Sequence, residues 1–177
     1  MELSQQTDLE LVVAVQAGDD AAFDELLRRY QRPVVNFCYR LLNDAGDADD
    51  IAQETFVRVF QHIGDYKPSH KFTTWLFALA RHACLDRLRW RKRHPTEPLD
   101  TAPEPVTTTE EVQMRELGAQ IAAAIATLPE EQRTVVVLAE YHDLSYAEIA
   151  GIMRCSGKSV ETRLYRAKQT LRQLLAH

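Results

Sequence analysis

The chain has 177 residues, 45% of them apolar and 27% charged, with a formal net charge of -5; this is the composition of a globular protein and excludes disorder throughout. No run approaches the ~20 apolar residues that cross a bilayer, and the opening MELSQQTDLE is acidic and polar where a signal peptide is basic and then apolar, so a cytoplasmic protein is expected. Cys38, Cys84 and Cys155 lie far apart with no CxxC pair and no neighbouring His, which fits reduced thiols and argues against a zinc site or disulfide framework.

With six glycines and few alternating apolar runs, nothing reads as a strand, and the expected fold class is all-α. Thr7-Asp8-Leu9-Glu10 fits a capping box that opens a short helix ending near Gly18. Asp19 and Asp20 start another, on which Phe23, Leu26, Leu27 and Tyr30 keep helical spacing. Val34, Phe37, Cys38, Leu41 and Leu42 resume that spacing after Pro33, which reads as a kink or a join between helices. NDAGDADD is a turn and helix start, its acids suited to a helix N-terminus. Ile51, Thr55, Val59 and Ile63 mark one face of a third helix, with Phe56 and Phe60 beside it. After GDYKPSHK, Phe72, Trp75, Leu76, Leu79 and Ala83 line a fourth helix that runs into RLRWRKRH.

The stretch HPTEPLDTAPEPVTTTEE holds four of the seven prolines and almost no large apolar residue, so residues 95–110 read as an extended, flexible, acidic linker. It divides the chain into a four-helix unit, 1–94, and a second small helical unit, 111–177. In the latter, Leu117, Ile121, Ile125 and Leu128 give a helix ended by Pro129, which suits the first turn of the next, PEEQRTVVVLAEYH. Ser145-Tyr146-Ala147-Glu148 is a second capping box, opening AEIAGIMR. Cys155, Ser156 and Gly157 then read as a tight turn before a long basic helix. A short helix, a turn containing Gly and a longer basic helix make a helix-turn-helix.

Charge is placed unevenly. Residues 1–60 hold twelve acids against five bases, residues 81–94 six bases against Asp86 alone, and residues 95–148 eleven acids against Arg115 and Arg133. The last helix has Lys158, Arg163, Arg166, Lys168 and Arg172 with Glu161 as its one acid. If Val160, Leu164, Ala167 and Leu171 pack inward, steps of four, three and four, then Lys158, Ser159, Glu161, Thr162, Arg163 and Arg166 face out, with Ser156 in the turn before them. In a helix-turn-helix this helix enters the major groove, where a carboxylate can accept from cytosine and Arg or Lys hold bases and phosphates.

The other basic island, ALARHACLDRLRWRKRH, follows an aromatic helix start. Cations beside aromatics suit a single strand, because bases stack and phosphates pair. Trp75 at this spacing reads as core, and the loop with Lys67, Ser69, His70, Lys71 and Thr73 is the better holder of an extruded base. Asp49, Asp50, Gln53 and Glu54 share one side of a helix start. No second His/Asp/Glu cluster completes a coordination sphere, so they read as capping acids or a docking face for a basic partner, with no metal, cofactor or catalytic residue expected.

In order, DADDIAQETFVRVF, FTTWLFALARHACLDRLR, the Pro-rich linker, LPEEQRTVVVLAEYHDLSYAEIA and SVETRLYRAKQTLR resemble successive regions of an extracytoplasmic-function sigma factor of the sigma-70 family, from about Asp19 to Leu174. The resemblance implies a non-catalytic initiation subunit of bacterial RNA polymerase built of sigma-2 and sigma-4 domains. It implies that Asp49, Asp50, Gln53, Glu54 and Phe56 dock on the clamp helices of the largest polymerase subunit, and that the flap of the second largest is a further contact. Lys67, Lys71, Phe72, Thr73, Trp75, Arg81, His82 and Arg89 would bind the -10 element. Ser156, Lys158, Ser159, Glu161, Thr162, Arg163 and Arg166 would read the -35 element. An anti-sigma factor is implied as another partner. His82 stands where members vary, the turn lacks the Pro-Val-Gly of many, and Glu161 stands where some are basic, so no promoter sequence carries over.

Net negative charge fits such a role, since a uniformly basic chain would be titrated onto bulk DNA, whose binding is driven by charge. Two rivals differ in class. A free-standing regulator would bind its operator unaided, usually as a dimer, yet no heptad stretch is present. A sigma mimic that sequesters a regulator would dispense with the basic islands.

Overall fold

The structure is a computed structural model and describes residues 2–96 and 109–176. Among the described residues eight α-helices follow one another: α1 (Asp8–Gln16), α2 (Asp20–Leu42), α3 (Ala45–His62), α4 (Phe72–Arg93), α5 (Thr109–Thr127), α6 (Glu130–Tyr141), α7 (Tyr146–Met153) and α8 (Gly157–Leu175). No strand occurs among the described residues. The all-α expectation holds; helices α1–α4 fall in the first expected unit and α5–α8 in the second. Most of the linker, 97–108, lies outside the described residues; α5 already begins at Thr109, before the expected end of the linker.

Local chemistry sets the ends. Both capping boxes form: the Thr7 hydroxyl accepts from Glu10 N–H while the Glu10 carboxylate accepts from Thr7 N–H, and Ser145 and Glu148 do the same. Asp19 caps α2, Asp44 caps α3 and Ser156 caps α8. Helix α2 runs unbroken through Pro33, where the sequence allowed a kink or a join. Pro33 has no N–H to give to the carbonyl four residues back, and packing on both sides carries the helix across that gap. Pro129 caps α6 from just outside its first turn.

Turn geometry also differs from the reading. Gly157 is the first residue of α8, with open space around it, and the left-handed residue of the turn is Arg154, at φ 51°. Its N–H closes α7 on the Ala150 carbonyl. Glycine freedom is therefore not what makes this turn.

In the first unit, Leu11, Leu26, Val34, Phe37, Leu41, Ile51, Val59 and Leu76 are fully or almost fully buried. Cys38 and Cys84 are buried free thiols of α2 and α4; their hydrogen bond, and then burial, push the Cys84 thiol well up, so it stays protonated and unreactive. The second unit closes on Val135, Leu138, Ile149, Val160, Leu164 and Ala167. Leu171 completes the inward stripe of α8 as a half-buried neighbour.

The units also pack on each other, which the sequence reading did not foresee. Helices α2 and α4 meet α5, α6 and α7, and one apolar cluster runs through both units. His142, just past α6, seats its ring 5.0 Å from Phe77 and 5.9 Å from Phe37. The Arg40 guanidinium lies 3.4 Å over the Tyr141 ring. Arg133 of α6 donates to the Leu41 carbonyl at 2.7 Å.

Candidate nucleic-acid and polymerase interface

Helix α8 begins with the Ser156 hydroxyl accepting from Ser159 N–H, which leaves the positive end of its dipole open to anions. Ser156, Lys158, Ser159, Thr162, Arg163 and Arg166 line one open hollow of about 320 Å³. Six of the seven residues expected to read duplex DNA thus converge. Glu161 faces the other flank, beside Tyr146, Tyr165 and Lys168. Arg163 is held by Glu131 at 2.8 Å, so its fork is positioned before any ligand arrives. Lys158 and Arg166 have no carboxylate partner among the described residues.

In the first unit, the loop between α3 and α4 folds over an aromatic base. The Tyr66 hydroxyl donates to the His70 carbonyl at 2.6 Å, and the Tyr66 ring lies 5.1 Å from Trp75 and 6.2 Å from Phe72. Phe72 is buried under the loop, so it shapes the site without presenting a face for stacking. Trp75, read from its spacing as core, is only half-buried: it packs against the core and also lines a hollow. Lys71 and Thr73 line a hollow of about 470 Å³ with Ser69, His70 and the start of α1, where Thr7, Asp8 and Leu9 supply the opposite wall. This wall was not legible in the sequence, because α1 reaches it across some 60 residues of chain. Lys67 lies with Trp75 on the other side of the loop.

The second basic island divides in two. Arg87 and Arg91 ion-pair with Asp47, and Arg91 also donates to the Leu42 carbonyl at 2.7 Å. These two hold α4 to α3 and the end of α2. Arg89 pairs with Asp86 at 3.2 Å, and His82 is exposed 3.7 Å from the same carboxylate. Arg81 and Lys71 reach into the second unit, to Glu130 at 3.1 Å and Glu148 at 2.8 Å.

On the opposite side of α2, a groove of about 730 Å³ runs between α2 and α3. Phe23, Leu27 and Val35 form one wall, Phe56, Val57 and Phe60 the other, with Asp49, Gln53, Gln31 and Gln61 among its polar residues. Phe60 and Val57 are each more than half exposed. Of the expected docking residues, Asp49, Gln53 and Phe56 line this groove; Asp50 is exposed outside it, and Glu54 pairs with Arg58. The apolar walls escaped the sequence reading because Phe23 and Phe60 keep the period of core residues.

Among the described residues no His, Cys, Asp or Glu group is placed to hold a metal, and no helix is long and apolar enough to cross a membrane. Two basic surfaces on a helical frame, one led by a capped recognition helix, define a helix-turn-helix DNA-binding protein. The family description Sigma-70 region 2 matches residues 26–94, and Sigma-70, region 4 matches 118–171. The chain is 32% identical to the RNA polymerase sigma-H factor of Pseudomonas aeruginosa over 98% of this chain and 96% of that protein. It is 33% identical to the ECF RNA polymerase sigma factor SigW of Bacillus subtilis over 91% and 92%. Two solved structures share the fold: CnrH in complex with the cytosolic domain of CnrY (TM-score 0.75, 24% identity, 96% of this chain and 97% of that one), and the sigma factor RpoE with the anti-sigma factor NepR from Bartonella quintana (0.71, 21%, 87% and 96%). The chain belongs to the sigma-70 family, among its extracytoplasmic-function RNA polymerase sigma factors.

Proposed function

We propose that this sigma factor docks on core RNA polymerase through α3 and the groove beside it, places α8 on the -35 duplex, and captures unstacked -10 bases at the loop before α4. The convergence of six expected recognition residues on one hollow at the capped start of α8 carries this reading. The groove adds to it. Its apolar walls suit the face of a partner helix, and Asp49 and Asp50 suit basic side chains such as those of the clamp helices. The flap of the second largest subunit falls to the second unit.

Lys67, Lys71, Thr73, Trp75, Arg81, His82 and Arg89 surround the loop and the exposed side of α4, with Phe72 beneath, and hold a flipped base and the phosphates beside it. Flipping a base costs a few kcal/mol, so a hollow already shaped in the free protein makes strand opening selective. The protein performs no chemistry of its own and acts in the cytoplasm. An anti-sigma factor is a further partner; RpoE from Bartonella quintana, of the same fold, is captured with one.

The test is run-off transcription from genomic fragments with bacterial core polymerase, with and without the protein, beside a gel shift with protein alone. Discrete starts that need both components, with little shift by the protein alone, are expected. A specific shift without new starts would overturn the reading. Asp50→Lys with Glu54→Lys should abolish polymerase binding while helicity is kept, and unchanged binding would remove α3 as the docking face.

A further inference from the structure

On the side of the loop where Lys67 and Trp75 lie, residues of both units build a hollow of about 350 Å³, within the size range of small-ligand sites. Asp65, Lys67 and Trp75 come from the first unit, Gly151 and Arg154 from α7 and its end. The walls come close because Gly151 has no side chain: a Cβ there would meet the Thr74 side chain at 3.1 Å. Trp75 packs against Tyr66 and Phe72, at 5.1 and 6.0 Å, and the rest of its half-buried ring lines the hollow. Lys67, Arg154 and Asp65 have no ion pair among the described residues. Arg154 is also held left-handed, at φ 51°, where glycine is unstrained and arginine is not. Strain of this kind gathers at ligand sites, and the side chain it places here is one of the two free cations.

These groups differ in what they can take. A free cation from each unit suits a phosphate pair, an indole suits a purine face, and a carboxylate, which only accepts, suits ribose hydroxyls. We propose that this hollow binds a purine ribonucleoside diphosphate: the base stacks on Trp75, the ribose hydroxyls donate to Asp65, and the phosphates lie between Lys67 and Arg154. The site goes beyond the -10 reading and does not depend on it, since Asp65 and Arg154 have no part in that reading. Lys67 and Trp75 serve one ligand at a time, so the nucleotide and the -10 strand exclude each other.

The experiment titrates ADP and 2′-deoxy-ADP into the full chain by calorimetry, beside anisotropy of a short, labelled, random-sequence single-stranded DNA. Wild type should bind ADP saturably at millimolar concentration or below, at least about threefold tighter than 2′-deoxy-ADP. Arg154→Gly, which removes the guanidinium and relieves the strain, should weaken ADP binding at least about tenfold. Its helicity by circular dichroism, its small-angle X-ray scattering and its strand affinity should match wild type. Asp65→Ala should abolish the preference for ribose. Arg89→Ala, which lies outside the hollow, should weaken strand binding and leave ADP binding unchanged. No saturable ADP binding by wild type overturns the site, as does a ribose preference that survives Asp65→Ala. ADP and 2′-deoxy-ADP bound alike, with Arg154→Gly without effect, would mean that the mononucleotide occupies the -10 base site, which overturns the proposal and keeps the -10 reading. Strand binding unmoved by Arg89→Ala, with ADP binding as expected, counts against the -10 reading alone.

Discussion

The two surfaces proposed to face DNA use their cations differently. On α8, Lys158 and Arg166 have no carboxylate partner among the described residues, and Arg163 is oriented by Glu131 from the same unit. On α4 and its preceding loop, Arg87 and Arg91 serve the fold, Arg89 pairs with Asp86, and Lys71 and Arg81 are engaged by the other unit. The cations proposed for the -35 duplex are thus unpaired or held within their own unit, whereas Lys71 and Arg81 of the proposed -10 surface are held from the other unit and Lys67 has no ion pair among the described residues. A positive run in a sequence reports neither condition, because the carboxylates that occupy it come from elsewhere in the chain.

The comparison breaks most sharply at α8. Lys158→Ala with Arg166→Ala should weaken -35 duplex binding by about a hundredfold at low salt and flatten the slope of log affinity on log salt by about 2, if both hold phosphates. A slope left unchanged would show that neither does. Arg163→Ala should cost ~1–3 kcal/mol at one -35 position if its fork reads a base; an equal loss on every promoter would make it a phosphate anchor.

Arg91→Ala tests the structural half of the other island. It should lower stability by about 1–2 kcal/mol in urea unfolding and leave strand affinity per folded molecule unchanged. A selective loss of -10 binding would move Arg91 to the DNA surface.

Acid should loosen the packing between the two units that both surfaces share. Burial, followed by the charge of Arg40, lowers His142 to about 4, against the opposing pull of Asp143. The packed state thus favours neutral His142. Its stability is fully present above the ordinary value near 6.5 and is lost as pH falls from there toward 4. Between pH 7.5 and pH 5.5 the closing equilibrium should weaken about tenfold, read by scattering, and His142→Phe should remove that dependence. The smallest effect is expected from Arg89→Ala, about two- to threefold in strand binding, since its ion pair with Asp86 is exposed.

What the sequence made legible was local. Both capping boxes, the start of α2 at Asp19 and the inward stripe of α8 follow from residues within a turn or two of each other, and all of them formed. The helix-turn-helix was legible as a whole, although its turn is made by Arg154 and not by Gly157. The groove was not, because Phe23 and Phe60 obey the same period whether they meet another side chain or open onto a cleft. The seam was still less visible. Arg133 and Leu41 are 92 residues apart, Lys71 and Glu148 are 77, and no periodicity links them.

Helix α2 carries two of these features on one rod. Its 23 residues span ~34 Å at 1.5 Å per residue. Phe23, Leu27 and Val35 line the groove, while Phe37, Arg40 and Leu41 meet the second unit. A body seated in the groove is thereby fixed at a set distance and angle from the contacts that hold the units together. Substitutions along α2 that touch neither surface and keep it helical leave that distance unchanged, so the two surfaces cannot drift apart independently.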